Sequence, residues 1–159
     1  MSIPHRFFAT ATALLLLLSA TSSFANEKIN TLEKSGFFSY EPSDIAIRGT
    51  DTVAYFTQGK PIAGSDVFTT QWQGATWKFS SQKHLDLFIA NPEKYAPQFG
   101  GYCAYGVFKG QLVKIEPKNW TIIDEKLYLN FNNSIQKTWE KDPQRYINAA
   151  NTEFDKLLN

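Results

Sequence analysis

Cys103 is the only cysteine in the chain, and it lies downstream of an N-terminal stretch that reads as an export leader. Chains that fold in oxidising compartments commonly rely on disulfides, but one thiol cannot close an internal bridge. This chain therefore has to be held by packing and hydrogen bonds alone. The thiol is left to be buried, to pair between chains, to bind something or to react.

The leader is "MSIPHRFFATATALLLLLSATSSFANEKIN". Arg6 supplies its positive end, and Ala11 to Leu18 supply its apolar run. Ser23 and Ala25 stand three and one residues before a cut after Ala25. The apolar run is shorter than the ~20 residues a spanning helix needs. We expect residues 1–25 to be a signal peptide and the product to be periplasmic or secreted, with no stable membrane anchor after cleavage. Losing Arg6 balances the 16 basic and 15 acidic residues to a formal charge of zero. A neutral chain offers no electrostatic footprint for nucleic acid or an anionic membrane. The remaining 134 of 159 residues suit one domain. His84 is then the single histidine beside the single Cys103, and no methionine is left.

Residues 26–43 read as a short, loosely held lead-in. Ile45 and Ile47 alternate, as do Val53, Tyr55 and Thr57, which predicts two short strands. "SDVFTTQWQGATWKFSS" predicts a hairpin with Phe68, Thr70 and Trp72 on one face of its first arm. Gln73-Gly74 makes the turn, and Ala75, Trp77 and Phe79 share a face of the return arm. "SSQKHLDLFIANPEKY" changes to helical spacing. Ser80 or Ser81 caps it, Leu85, Phe88 and Ile89 form its stripe, and Asn91-Pro92 stops it. "QLVKIE" and "WTIIDEKLYLNF" predict strands, with a turn at Asp124-Glu125. The tail predicts two helices, the second restarted by Asp142-Pro143. The fold class expected is α+β: a small antiparallel sheet with an inserted helix and a helical C-terminus, over residues 44–159.

Catalytic signatures are sparse. The sequence has no phosphate loop, no GxSxG, no CxxC and no HExxH. His84 and Cys103 form the one possible thiol–imidazole pair. Brought together, they could lower the thiol pKa for redox or nucleophilic chemistry, or hold a soft metal. A zinc site wants about three or four protein ligands, so Asp51, Asp86 or a tyrosine would have to complete the shell, or a second chain would. Copper(I) tolerates two ligands and is the metal that fits best. The bland alternative is a buried thiol acting as a small hydrophobe beside a hydrogen-bonded structural histidine. The aromatics Tyr55, Trp77, Tyr95 and Tyr102 either line a ligand cleft or fill the core. Gly100-Gly101 lets backbone approach another strand or a ligand closely.

"GTDTVAYFTQGKPIAGS", "WQGATWKFSSQKHLDLFIANPEKYAPQFGGYCAYG" and "KLYLNFN" together resemble an exported YHS domain. The resemblance covers residues 44–140, and the run from Trp77 to Gly106 is dense. It implies a small α+β domain and a heavy-metal function, copper above all. Metal-type members carry cysteines at positions that correspond to Ala54, Ser80 and His84. Only the last is a metal-binding type here, so the resemblance implies a pocket where helix 81–90 faces the first strand, with Cys103 alongside. The longer exported members that this chain resembles usually carry proline where it has Thr52, a position that reads as a strand lead-in.

The resulting expectation is an exported binding domain that takes a metal ion or small ligand near His84 and Cys103. Two alternatives stand beside it: a structural or interaction domain with both residues buried, and a thiol-based redox protein or enzyme using the pair.

Overall fold

The computed structural model describes residues 28–34 and 40–159. The proposed leader and its cut lie outside the described residues. The class is α+β, with antiparallel strands, inserted helices and a helical C-terminus. The strands do not join in one sheet. Among the described residues they form three separate two-stranded antiparallel ladders.

The first ladder pairs β1 (Leu32–Lys34) with β2 (Tyr40–Pro42). The second is the expected hairpin, β3 (Ser65–Trp72) with β4 (Ala75–Phe79). Gln73 and Gly74 both take positive φ at its turn, 49° and 80°, the twist that matches a two-residue hairpin. Ala75, Trp77 and Phe79 are buried and alternate with Thr76 and Lys78, as the period-two pattern requires. The third ladder pairs β5 (Trp120–Ile123) with β6 (Lys126–Leu129) around Asp124-Glu125.

The two strands expected over 45–57 are not there. A 3₁₀ turn at Ala46–Gly49 carries Ile47 and Arg48 in left-handed conformations, and α1 spans Thr52–Gln58. Ile45 makes only a single bridge, to Thr76. Val53, Ala54 and Tyr55 are consecutive buried residues, which suits a helix sunk in the core and not a half-exposed strand. Asp51 decides the matter. Its carboxylate caps the helix by accepting from Val53 N and Ala54 N, and Gly59 ends it in the left-handed region at φ 64°. Thr52 therefore sits at the first helical position, not on a strand lead-in.

Thr52 is fully buried, and its Oγ1 has no hydrogen-bond partner among the described residues. A buried hydroxyl without a partner costs about 1–3 kcal/mol. Thr52→Val keeps the branched shape and removes that group. We expect it to raise stability by about 1 kcal/mol in urea unfolding, and an unfolding midpoint below that of the parent would refute this account.

The helix after the hairpin, α2 (Gln82–Ala90), is capped by Ser81, whose Oγ accepts from His84 N. Leu85 and Phe88 are buried, but Ile89 is 58% exposed and leaves the predicted stripe. Asn91 ends α2 and caps α3 (Pro92–Tyr95). The glycine-rich segment leads into α4 (Ala104–Phe108). "QLVKIE" joins no ladder. Its Val113 O accepts from Cys103 N at 2.9 Å, so it runs beside the glycine-rich segment instead of a strand. The tail helices are α5 (Asn133–Trp139) and α6 (Pro143–Leu157), capped by Asn132 and Asp142.

Two apolar clusters share β6 as a wall. Leu127 and Leu129 point into the cluster with Ile47, Tyr55, Trp77, Phe79 and Phe88. Tyr128 points into the other, with Phe99, Val107, Trp139 and Ile147. The lead-in is not loose where it is described: Ile29, Asn30 and Thr31 are buried. Asn30 N donates to Gly100 O, Asn30 Nδ2 donates to Gly101 O, and Ile47 N donates to Asn30 O. Gly100 is the member of the glycine pair that approaches this N-terminal backbone closely, whereas Gly101 lies against the Ile47 side chain.

Candidate functional site

Asp51 is the polar centre of the first cluster and is fully buried. Its Oδ1 receives Val53 N and Ala54 N at 3.0 and 3.2 Å. Its Oδ2 receives Ser80 N at 2.8 Å and Ser80 Oγ at 2.6 Å. The same oxygen lies 2.6 Å from His84 Nδ1. A carboxylate only accepts, so Nδ1 is the nitrogen that carries a proton. This fixes the ring orientation and leaves Nε2 facing Thr57 Oγ1 at 3.2 Å. Three elements are tied by one carboxylate: the start of α1, the end of β4 and the first turn of α2. Capping explains why the sequence folds this way. Asp51 and Ser81 each open a helix, and the hairpin brings Ser80 between them.

Cys103 belongs to the same apolar cluster but keeps different hydrogen-bond partners. It is 2% exposed and caps α4, with Sγ accepting from Gly106 N at 3.4 Å. Phe131 N also donates to Sγ at 3.3 Å, and the thiol lies 3.6 Å from Asn130 Oδ1. Burial pushes the thiol pKa up, and the N–H groups of Gly106, Phe131 and Tyr105 offset part of that. A neutral thiol is thus favoured over a reactive thiolate. A pocket of about 210 Å³ opens over it, lined in part by Tyr105, Lys109, Gln111, Phe131 and Ile135.

His84 and Cys103 have no hydrogen-bond partner in common. Their neighbours differ in kind: the imidazole meets a carboxylate and two hydroxyl-bearing residues, the thiol meets backbone N–H groups and an amide. Among the described residues, no group of three or more His, Cys, Asp and Glu side chains converges as a metal shell. Asp51, offered as a completing ligand, spends both oxygens within the fold. Asp86 instead accepts from Gln82 Nε2 on the exposed face of α2.

The four aromatics of the expected cleft are core residues, Tyr55, Trp77 and Tyr95 in the first cluster and Tyr102 in the second. Tyr55 is buried against Trp120 and donates to Pro117 O at 2.9 Å. Burial, then Glu116 and Asp51, push its pKa up. Trp77 donates to Trp72 O and packs on Phe88 at 4.8 Å between centroids. Tyr95 meets Phe56 edge-on. Tyr102 belongs to the second cluster, with its hydroxyl 3.5 Å from Ile29 O. None of the four lines the Cys103 pocket.

Asp51, Thr57 and Asn130 carry much of this polar geometry and were not singled out as a set from the sequence. A signal for the first two was present. Asp51 followed by "TVAYFTQ" and Gly59 is an N-cap, a short helix and a left-handed glycine stop. Asn130 had no local signal, because its partners Cys103 and Tyr105 are distant in sequence.

No described helix is long and apolar enough to cross a membrane. Comparison with known proteins returns no match: no family model, no curated protein and no solved structure is similar to this chain at a significant level.

Proposed function

We propose that the chain is an exported, YHS-like binding domain whose ligand sits over Cys103 rather than between Cys103 and His84. The observation that supports this reading is the pocket of about 210 Å³ with the thiol in its lining. His84, by contrast, has its Nδ1 committed to the buried Asp51. The pocket walls are largely apolar, with Lys109 and Gln111 supplying polar groups, so they suit a small amphipathic ligand. Copper(I) favours soft thiolate ligands and is the metal to test, with its second ligand coming from outside the chain because Cys103 is the one soft donor in the pocket lining.

Iodoacetamide labelling measures the thiol directly. With its pKa raised, Cys103 is expected to label slowly at pH 7, and its rate is expected to keep climbing beyond pH ~8.5, the ordinary thiol value. Copper(I) is expected to suppress labelling. Cys103→Ser is expected to abolish copper(I) uptake in isothermal titration, whereas His84→Gln leaves it intact. Uptake that requires His84 would overturn the placement of the site.

A second reading is favoured by a specific observation: two backbone N–H groups and Asn130 already surround Sγ. On that reading Cys103 is structural and the chain is an interaction domain. It predicts no copper(I) uptake at any site, together with lower stability in Cys103→Ser.

A further inference from the structure

Thr57 lies at an exposed position in the last turn of α1. Its Oγ1 is 3.2 Å from His84 Nε2, and His84 Nδ1 is 2.6 Å from Asp51 Oδ2. Hydroxyl, imidazole and carboxylate are therefore linked in series, with the base oriented by a buried acid. This is the arrangement by which an alcohol is activated as a nucleophile. The carboxylate holds the proton on Nδ1, which presents the Nε2 lone pair to Thr57. The hydroxyl also donates to Val53 O at 3.0 Å. Its single proton serves one acceptor at a time, so it is shared between that carbonyl and the imidazole.

We propose that Thr57 is an activated hydroxyl that accepts an acyl group from activated esters. Thr57 Oγ attacks the ester carbonyl carbon while its proton passes to His84 Nε2. The bond from that carbon to the alkoxy oxygen breaks, and His84 returns the proton to the departing alcohol. The products are O-acyl Thr57 and the free alcohol. The position on the helix restricts turnover. Thr57 lies near the carbonyl end of α1, where the dipole is negative and disfavours an oxyanion. The reaction is therefore stoichiometric, needs a good leaving group and does not turn over quickly.

The probe is p-nitrophenyl acetate on the purified protein, read as p-nitrophenol release and as the acetylated residue by peptide mass spectrometry. Acetylation is expected at Thr57, well ahead of the exposed Thr69 and Thr152 of the same molecule, which serve as internal references. Thr57→Val, at an exposed position, is expected to fold and to lose the label, and Thr57→Ser to retain it. His84→Gln is expected to slow labelling at least ~100-fold, the smaller end of what a positioned general base contributes. Acetylation of Thr57 no faster than of Thr69 would overturn the proposal, and this comparison holds even if His84→Gln does not fold. Labelling unchanged in a folded His84→Gln would overturn it as well. Neither outcome bears on the Cys103 pocket.

Discussion

Asp51→Ala is expected to lower stability by about 3–5 kcal/mol, the combined cost of a lost helix cap and of several donors left without their acceptor. Five donors lose the carboxylate at once: Val53 N, Ala54 N, Ser80 N, Ser80 Oγ and His84 Nδ1. Loss of the helix cap alone accounts for about 1 kcal/mol. The remainder comes from leaving half-buried Ser80 and buried His84 beside a void. Domains of this kind are stable by only about 5–15 kcal/mol, so the variant should be close to unfolded under mild denaturant. Asp51→Asn separates the two contributions. Its carbonyl can keep the cap, but its amide then faces Ser80 and His84 with donors against donors. Its stability is expected to fall between the parent and Asp51→Ala. Chemical denaturation checks both. An Asp51→Ala loss below about 1 kcal/mol would mean that the carboxylate does not hold these elements together.

The second large effect is expected at Gly100. Its φ is 60°, and a Cβ added there would run into the carbonyl of Lys28. Backbone cannot swing aside as a flexible side chain does. Gly100→Ala must therefore push away the segment that carries Ile29, Asn30 and Thr31. That threatens the Asn30 N to Gly100 O and Asn30 Nδ2 to Gly101 O bonds, 2.8 and 2.9 Å long. Left-handed strain plus the lost bonds amounts to about 2–4 kcal/mol. Gly110→Ala is the control. Gly110 has φ 73° but open space around it, so it should lose only the conformational part, roughly 1 kcal/mol. Equal losses in the two variants would show that the collision with Lys28 is relieved without harm. A large difference would also show that the N-terminal segment belongs to the folded domain and is not an appendage.

Much of the fold was legible because its signals are local. The β3–β4 turn at Gln73-Gly74, the β5–β6 turn at Asp124-Glu125 and the Asp142-Pro143 restart each depend on residues adjacent in sequence. Alternation over Ala75, Trp77 and Phe79 named the buried face correctly. The same rule misled over Val53, Tyr55 and Thr57. Three positions cannot separate a period of 2 from a period of 3.6, and the cap at Asp51 outweighed the pattern. "QLVKIE" failed as a strand for a different reason. A ladder needs a partner edge, and Val113 is bonded instead to the backbone of Cys103.

The candidate site was legible in its ingredients and not in its arrangement. Two histidines, one of them (His5) inside the leader-like start, and one cysteine narrowed which side chains could carry thiol or imidazole chemistry. Local sequence also set the helix that holds His84 and the glycines that need positive φ. Only the tertiary structure decided that His84 turns to Asp51 and Thr57, and that Cys103 turns to Asn130, Gly106 and Phe131. The reason is physical. Composition and periodicity report which residues are buried, but a buried polar atom is satisfied by whichever donor or acceptor long-range packing brings within about 3 Å. Asp51 meets Ser80 and His84, and Asn130 meets Cys103, across loops about 30 residues long, and no local pattern encodes those meetings.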